Sequence, residues 1–208
     1  MEARRIVVLS AGLGVPSSSR LLADQLAASA ERQLKAAGYE PTVEVVELRD
    51  LAVDIANNFV TGYAAPPLAE VIAAVEGADG IVAVTPVFSA SYSGLFKSFI
   101  DVLDPKSLDG KAVLLGATGG TDRHQMVLDY ALRPLFSYLR TRMAATGVFA
   151  GPQDWGTADE GGASLADRIE RAAGEFSKLL ERPQAGRKAA PMESLPFEQL
   201  LAGISGSR

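Results

Sequence analysis

Short unbroken apolar runs alternate along the chain with stretches in which apolar residues recur every three or four positions. Ile6-Val7-Val8-Leu9, inside Arg4–Ser10, has the length and β-branched content of a strand buried on both faces. A loop from Ala11 to Pro16 follows, and then Leu22, Leu26, Ala30 and Leu34 fall on one helical face between a serine-rich start and Gly38. Thr42–Leu48 predicts a second strand, Leu68, Val71, Ile72 and Val75 another helix, and Gly80–Thr85 a third strand. Leu95, Phe96, Phe99, Ile100 and Leu103 mark a helix ending at Asp104-Pro105, and Lys111–Ala117 reads as a fourth strand. The series closes with a helix from His124 to about Arg142, a short fifth strand Thr146–Ala150, and a long helix carrying Leu165, Ile169, Ala172, Phe176 and Leu179. No β-hairpin signal interrupts it.

Five strands separated by helices predict an α/β fold: a doubly wound, five-stranded parallel sheet with right-handed crossovers and helices on both faces. Ligands of such sheets sit beyond the carboxyl ends of the strands, where the strand order reverses, which directs attention to the loops after Leu9, Val84 and Gly116. Beyond Arg182 the pattern fails, because Pro183, Gly186, Pro191 and Pro196 prevent one regular element. Residues 1–182 therefore read as one domain and 183–208 as a proline-broken tail. Within that tail Phe197, Leu200, Leu201 and Ile204 make a short amphipathic segment suited to docking inside a homo-oligomer.

Composition narrows the chemistry. The 208 residues are 48% hydrophobic and 22% charged, enough chain for one domain with a large core and too apolar for intrinsic disorder. With no cysteine, a disulfide, an iron–sulfur cluster, a thiolate zinc site and a cysteine nucleophile are excluded, and with His124 as the one histidine so is a two-histidine metal site. The net charge of −5 gives no support for nucleic acid or an anionic membrane as partner. No apolar run approaches the roughly 18 residues of a membrane span, and Gly12 and Gly14 cut the run behind Arg4-Arg5 short of a secretory signal. A cytoplasmic protein whose reactivity comes from a bound group is the expectation.

Three loops are candidates for holding that group. In the first, Ser10 to Arg20, the hydroxyls of Ser10, Ser17, Ser18 and Ser19, the backbone N–H groups of a helix start and the Arg20 guanidinium make a phosphate cradle. A plain serine cap after a glycine turn accounts for one of these serines. The loop lacks the lysine of a P-loop and the third glycine of a dinucleotide fingerprint. The second loop, Thr85 to Gly94, offers Pro86, Val87, Phe88 and Ser89 as a lining for a flat heteroaromatic ring, unless Phe88 and Tyr92 are simply core. The third, Ala117-Thr118-Gly119-Gly120-Thr121, has two glycines that permit close backbone approach. Anion-binding groups beside two ring-gripping loops at one sheet edge suggest a phosphorylated aromatic cofactor such as FMN.

Val84 to Lys97, together with Ala117 to Thr121, His124 and Asp129-Tyr130-Ala131-Leu132-Arg133-Pro134, resembles the flavodoxin-like NAD(P)H-dependent FMN reductases, especially the reductase components of two-component flavin monooxygenases of the alkanesulfonate type. The resemblance covers roughly residues 4–150. It implies the strand order 2-1-3-4-5, FMN phosphate contacts from Ser10, Ser17, Ser18, Ser19 and Arg20, ring and ribityl contacts from Pro86, Val87, Phe88 and Ser89, and ring-edge contacts from Thr118, Gly119, Gly120 and Thr121. It also implies hydride transfer from NADH or NADPH to flavin N5 without a protein catalytic residue, delivery of reduced flavin to a monooxygenase, and a homodimer or homotetramer. The family often has tyrosine where this chain has Phe88, and the first loop differs in length and in the position of its arginine. Two other readings share the fold: a quinone or azo-dye reductase with tightly bound FMN, and a flavodoxin-like electron carrier inert to nicotinamides.

Three further residues bear on the site. Pro134 lies inside an otherwise helical run and removes the partner of the Tyr130 carbonyl, so a kink or a widened turn is expected at Tyr130. In relatives that hand flavin on, the matching tyrosine lies in such a turn, which implies a flavin-transfer role for Tyr130. His124 reads as a helix-start or packing residue rather than a general base. Trp155 reads as an anchor for the loop after the fifth strand, with a place at the pocket rim as the alternative.

Overall fold

The computed structural model describes residues 2–155 and 163–181, so the expected tail segment lies outside the described residues. Nine residues, Glu2–Ser10, form β1, whose side chains alternate between the two faces of the sheet. Ile6 and Val8 enter the core under α1 (Ser18–Ala36), while Val7 and Leu9 enter the core on the opposite face. Burial on both faces explains why this segment is an uninterrupted apolar run rather than an alternating one.

Leu22, Leu26, Ala30 and Leu34 of α1 are fully buried, as their spacing predicts, and each leucine so buried contributes about 1.5–3 kcal/mol. They pack beside α6 (Leu165–Glu181), which buries Ile169, Ala172, Ala173, Phe176 and Leu180 on the same side of the sheet. The second face is covered by α3 (Pro66–Gly77), α4 (Gly94–Val102) and α5 (Arg133–Tyr138), with Leu68, Phe96, Phe99, Ile100 and Phe136 in its core. A further helix on that side, α2 (Ala52–Thr61), was not expected; its apolar residues face outward except for Ile55.

The remaining strands are β2 (Tyr39–Glu47), β3 (Gly80–Phe88), β4 (Ser91–Tyr92), β5 (Ala112–Thr118), β6 (Arg142–Met143) and β7 (Val148–Ala150). The sheet order is β2-β1-β3-β5-β6, with β4 attached to β3 and β7 attached to β5. Every pairing is parallel except β3 with β4. This is the expected doubly wound α/β architecture, but the expected count of five strands and the absence of a hairpin both need correction.

The expected fifth strand is divided. β6 pairs with the amino half of β5 through Arg142 and Met143, and β7 with its carboxyl half through Val148, Phe149 and Ala150. Between them Glu175 of α6 accepts hydrogen bonds from the backbone N–H of Thr146 at 2.6 Å and from its hydroxyl at 2.9 Å, which draws the intervening chain off the ladder. The hairpin turns at Ser89 and Ala90, both at positive φ (49° and 64°). That backbone normally selects Asn-Gly, so a Ser-Ala pair gives no sequence signal for it.

The expected helix from His124 to Arg142 is also replaced. A 3-10 turn at Asp122–His124 leads to a π turn at Leu128–Leu132 and then to α5, which ends at Tyr138. The Arg133 N–H bonds the Leu128 carbonyl five residues back. Pro134 has no N–H to offer the Tyr130 carbonyl, so the widened turn falls where the proline predicts it.

Candidate functional site

The three loops converge at the carboxyl edge of β1, β3 and β5. Register brings Ser10 beside Val84, and Thr118 beside Pro86, so the ends of the three strands are neighbours before any side chain is considered. A cleft of about 400 Å³ opens there, lined by Ser18, Pro86, Val87, Phe88, Thr118, Gly119, Gly120, Pro152 and Trp155.

The first loop divides its serines by role. Ser17 caps α1, its Oγ accepting from the Arg20 backbone N–H at 3.2 Å. Ser19 is buried, and its Oγ lies 2.7 Å from Thr118 Oγ1, tying the start of α1 to the end of β5. Ser18 lines the cleft. Ser10, at the carboxyl end of β1, is buried with an Oγ that has no hydrogen-bond partner among the described residues.

Arg20 is committed elsewhere. Its guanidinium donates to Asp24 at 2.8 Å and to Glu47 at 2.7 Å, and Asp24 above all holds its pKa above the ordinary arginine value. Glu47 also pairs with Arg49 at 2.8 Å, and Arg49 donates to the Gly14 carbonyl at 2.8 Å. The sequence pattern offered Arg20 to a phosphate; in the fold, Arg20, Glu47 and Arg49 instead clamp the loop against β2 and line a separate cavity of about 270 Å³.

In the second loop, Pro86, Val87 and Phe88 belong to the end of β3 rather than to a free loop, and Phe88 is about half-exposed at the cleft. Ser89 sits at the hairpin tip and is not among the cleft-lining residues. Thr85, fully buried, accepts the Ser93 N–H at 3.0 Å and so fixes the return of the chain into α4. In the third loop, a Cβ at Gly119 would come within 2.9 Å of the Phe149 ring, whereas one at Gly120 would meet no protein atom within 4 Å. Thr121 caps the following turn and does not line the cleft.

His124 is half-buried, with its Cβ against Gly119 and an Nδ1 that lacks a partner among the described residues. It packs beneath the third loop, in a 3-10 turn rather than at the start of a long helix. Trp155 does both things asked of it: it packs against the core and lines the cleft. Its turn is fixed from α6, where Arg168 holds Asp154 while Asp154 accepts the Gly151 N–H at 2.8 Å. Pro152 lines the cleft as well, a contribution with no signal in the local pattern, because it depends on the turn that follows β7. Tyr130 is 76% exposed in the π turn, and Arg133 steadies that turn through Asp129 at 2.8 Å and the carbonyls of Ala144 and Ala145.

A phosphate suits the helix start, where Ser18 lines the cleft in the first turn of α1, whose leading N–H groups have no partner within the helix, and Ser10 keeps an Oγ unmatched among the described residues. A flat ring fits between the apolar end of β3 and the open face of Gly120. The fold is that of a flavodoxin-like α/β protein, with its cleft at the sheet's carboxyl edge, where such sheets hold their ligands. The chain belongs to the NADPH-dependent FMN reductase family, whose profile matches residues 4–156. It is 34% identical over 175 residues to the FMN reductase (NADPH) of Pseudomonas aeruginosa, covering 84% of this chain and 91% of that one. It is 33% identical over 185 residues to the NADH-dependent FMN reductase SfnE of Pseudomonas putida, covering 89% and 97%. The crystal structure of an oxidoreductase from Corynebacterium diphtheriae superposes with a TM-score of 0.83 at 42% identity, covering 87% of this chain and 98% of that one.

Proposed function

We propose that this chain catalyses the reduction of FMN by NADH or NADPH, with residues 1–182 forming the flavin-binding domain. The observation that carries the reading is the convergence of a helix start, an apolar strand end and an unobstructed glycine on one cleft of about 400 Å³, in a chain of this family. Bound FMN supplies the hydride acceptor, and the nicotinamide supplies the hydride. The chain's own residues bind, orient and shield. Ser18, the unmatched Ser10 hydroxyl and the first N–H groups of α1 hold the phosphate, while Ser17 and Ser19 keep that helix start in place. Arg20 supports the same phosphate by fixing the loop through Glu47 rather than by direct contact. Pro86, Val87 and Phe88 flank the ribityl chain and ring on one side, with Ser89 behind them at the hairpin tip, and Thr118, Gly119 and Gly120 border the ring edge, with Thr121 holding the turn that follows. Trp155 and Pro152 close the far rim and limit water.

Further parts of the reading rest on the family resemblance. Reduced flavin passes to a flavin-dependent monooxygenase, the π turn with Tyr130 lies at a subunit contact of a homodimer or homotetramer, and the protein works in the cytoplasm. Among the described residues no helix is long and apolar enough to cross a membrane.

Anaerobic mixing with each nicotinamide in the presence of FMN is the test. Loss of flavin absorbance near about 450 nm is expected with at least one of them, and flavin that stays oxidised with both sinks the proposal. Steady-state oxidation of NADH and NADPH against added FMN, FAD and riboflavin then separates flavin as a released substrate from flavin as a retained cofactor. A rate that saturates with added FMN marks the former.

A further inference from the structure

A second cavity lies at the opposite, amino edge of the sheet. It has a volume of about 200 Å³ and is lined by Arg4 of β1, Asp79 before β3, Asp109 and Lys111 before β5, Arg142 of β6 and Leu180 of α6, with Ala78 and Gly110 completing it. Three cations meet two carboxylates there, and the cations are held in place by backbone carbonyls. Arg4 Nε donates to the Leu180 carbonyl at 3.0 Å, and Arg142 donates to the Gly110 and Leu179 carbonyls at 2.8 and 3.1 Å. Lys111 Nζ donates to the Glu76 and Ala78 carbonyls at 3.0 and 2.7 Å, which accounts for two of its three protons. These bonds cap the carboxyl ends of α6 and α3, and capping alone would explain one cation at each helix.

Arg4 goes beyond capping. It is 4% exposed, with its guanidinium 4.6 Å from the Tyr39 ring centroid and its Nη1 on Glu2 at 2.6 Å, yet its buried Nη2 has no partner among the described residues. A buried charged donor without an acceptor is costly, and Arg4 borders a cavity large enough to hold one. Of the two carboxylates, Asp79 already accepts the Arg5 N–H at 2.7 Å, and Asp109 is solvent-exposed. Burial holds the Lys111 pKa below the ordinary lysine value against the opposing pull of Asp79 and Glu76.

We infer that this cavity binds a small oxyanion of the phosphate or sulfate type, which accepts hydrogen bonds from Arg4 and Lys111 beside Arg142. The volume is below that of a nucleotide pocket and suits an inorganic tetrahedral anion. Bound there, the anion ties the end of α6 to β1, β5 and β6, on the edge of the sheet away from the flavin cleft. Its effect is on the stability of the fold and not on the chemistry.

The experiment is calorimetric titration of the full chain, saturated with FMN, with inorganic phosphate and then sulfate, at ionic strength held constant with chloride. One saturable site is expected for each anion. It should weaken at least tenfold in Lys111→Met and in Arg4→Met, and persist in Ser18→Ala, which alters the helix start in the flavin cleft. Anion binding that survives both cation replacements, or is lost in Ser18→Ala, assigns the anion to the flavin cleft and overturns the inference. So does the absence of any saturable heat above the chloride control, which leaves water as the sole occupant. Thermal unfolding supplies a second measurement if Arg4→Met fails to fold. Phosphate should raise the midpoint of the native chain above the chloride control, and the increment should vanish in Lys111→Met.

Discussion

At the scale of single residues, two adjacent glycines separate folding from binding. A methyl group at Gly119 meets the Phe149 ring, so Gly119→Ala is expected to cost about 1–3 kcal/mol of stability in urea unfolding. A methyl group at Gly120 meets nothing, and its φ is outside the left-handed region, so Gly120→Ala should leave stability within about 0.5 kcal/mol. If a flavin ring lies against Gly120, the same substitution weakens FMN binding about tenfold, or about 1.4 kcal/mol, in a fluorescence titration. Unchanged FMN affinity would remove Gly120 from the site. Ser19→Ala should behave in the opposite way, because it leaves the buried Thr118 hydroxyl without its 2.7 Å partner. It is expected to destabilise the chain by about 1–3 kcal/mol, measured by the same unfolding experiment. The serines of the first loop could be recognised as a group from the sequence, but their division into a cap, a buried tie and a cleft-facing hydroxyl could not. That division depends on where Thr118, nearly a hundred positions away, meets the helix.

At the scale of elements, the strands and helices with strong periodicity were legible, and those governed by a distant contact were not. β1, α1, β3, β5 and α6 follow directly from the runs Ile6–Leu9 and Leu22–Leu34 and their counterparts. The divided fifth strand did not, since Glu175 of α6 captures Thr146 and interrupts the ladder. Glu175→Ala should therefore cost about 1–2 kcal/mol in urea unfolding, by removing acceptors from a backbone N–H and a hydroxyl. A cost near zero would show that the strand divides without that contact. The π turn was half legible: Pro134 announced a defect at Tyr130, and the structure resolved it as a widened turn rather than a kink. Tyr130 is so exposed that Tyr130→Ala should alter monomer stability by less than about 0.5 kcal/mol. Light scattering of that variant should show dissociation toward smaller species if the turn lies at a subunit contact, and an unchanged mass would place the contact elsewhere.

At the scale of the whole molecule, the cleft is assembled from the start of α1, the ends of β3 and β5 and the turn after β7, so a ligand that fills it stabilises the fold as a unit. FMN at a hundredfold excess over its dissociation constant should add about 2.7 kcal/mol, which corresponds to a rise of roughly 5–10 °C in the unfolding midpoint for a chain of this size. No rise at saturating FMN would contradict binding in this cleft. The sequence by itself determined the layered α/β architecture, because strands buried on both faces must be apolar throughout and their covering helices must be apolar on one side. It also predicted that three loops meet at one sheet edge, because the loops with serines, aromatics and glycines all follow strand ends, and they do meet there around one cleft. Only the tertiary structure decided which groups in those loops are available. Arg20 is drawn to Glu47, Ser19 to Thr118 and Trp155 to the cleft by partners far away in the chain, and a charge or hydroxyl satisfied inside the fold is no longer offered to a ligand. Arg4 at the other edge is the same principle in reverse: its burial, and an Nη2 without a partner among the described residues, arise from β1, α6 and the edge of the sheet meeting in space, which no local pattern in the sequence records.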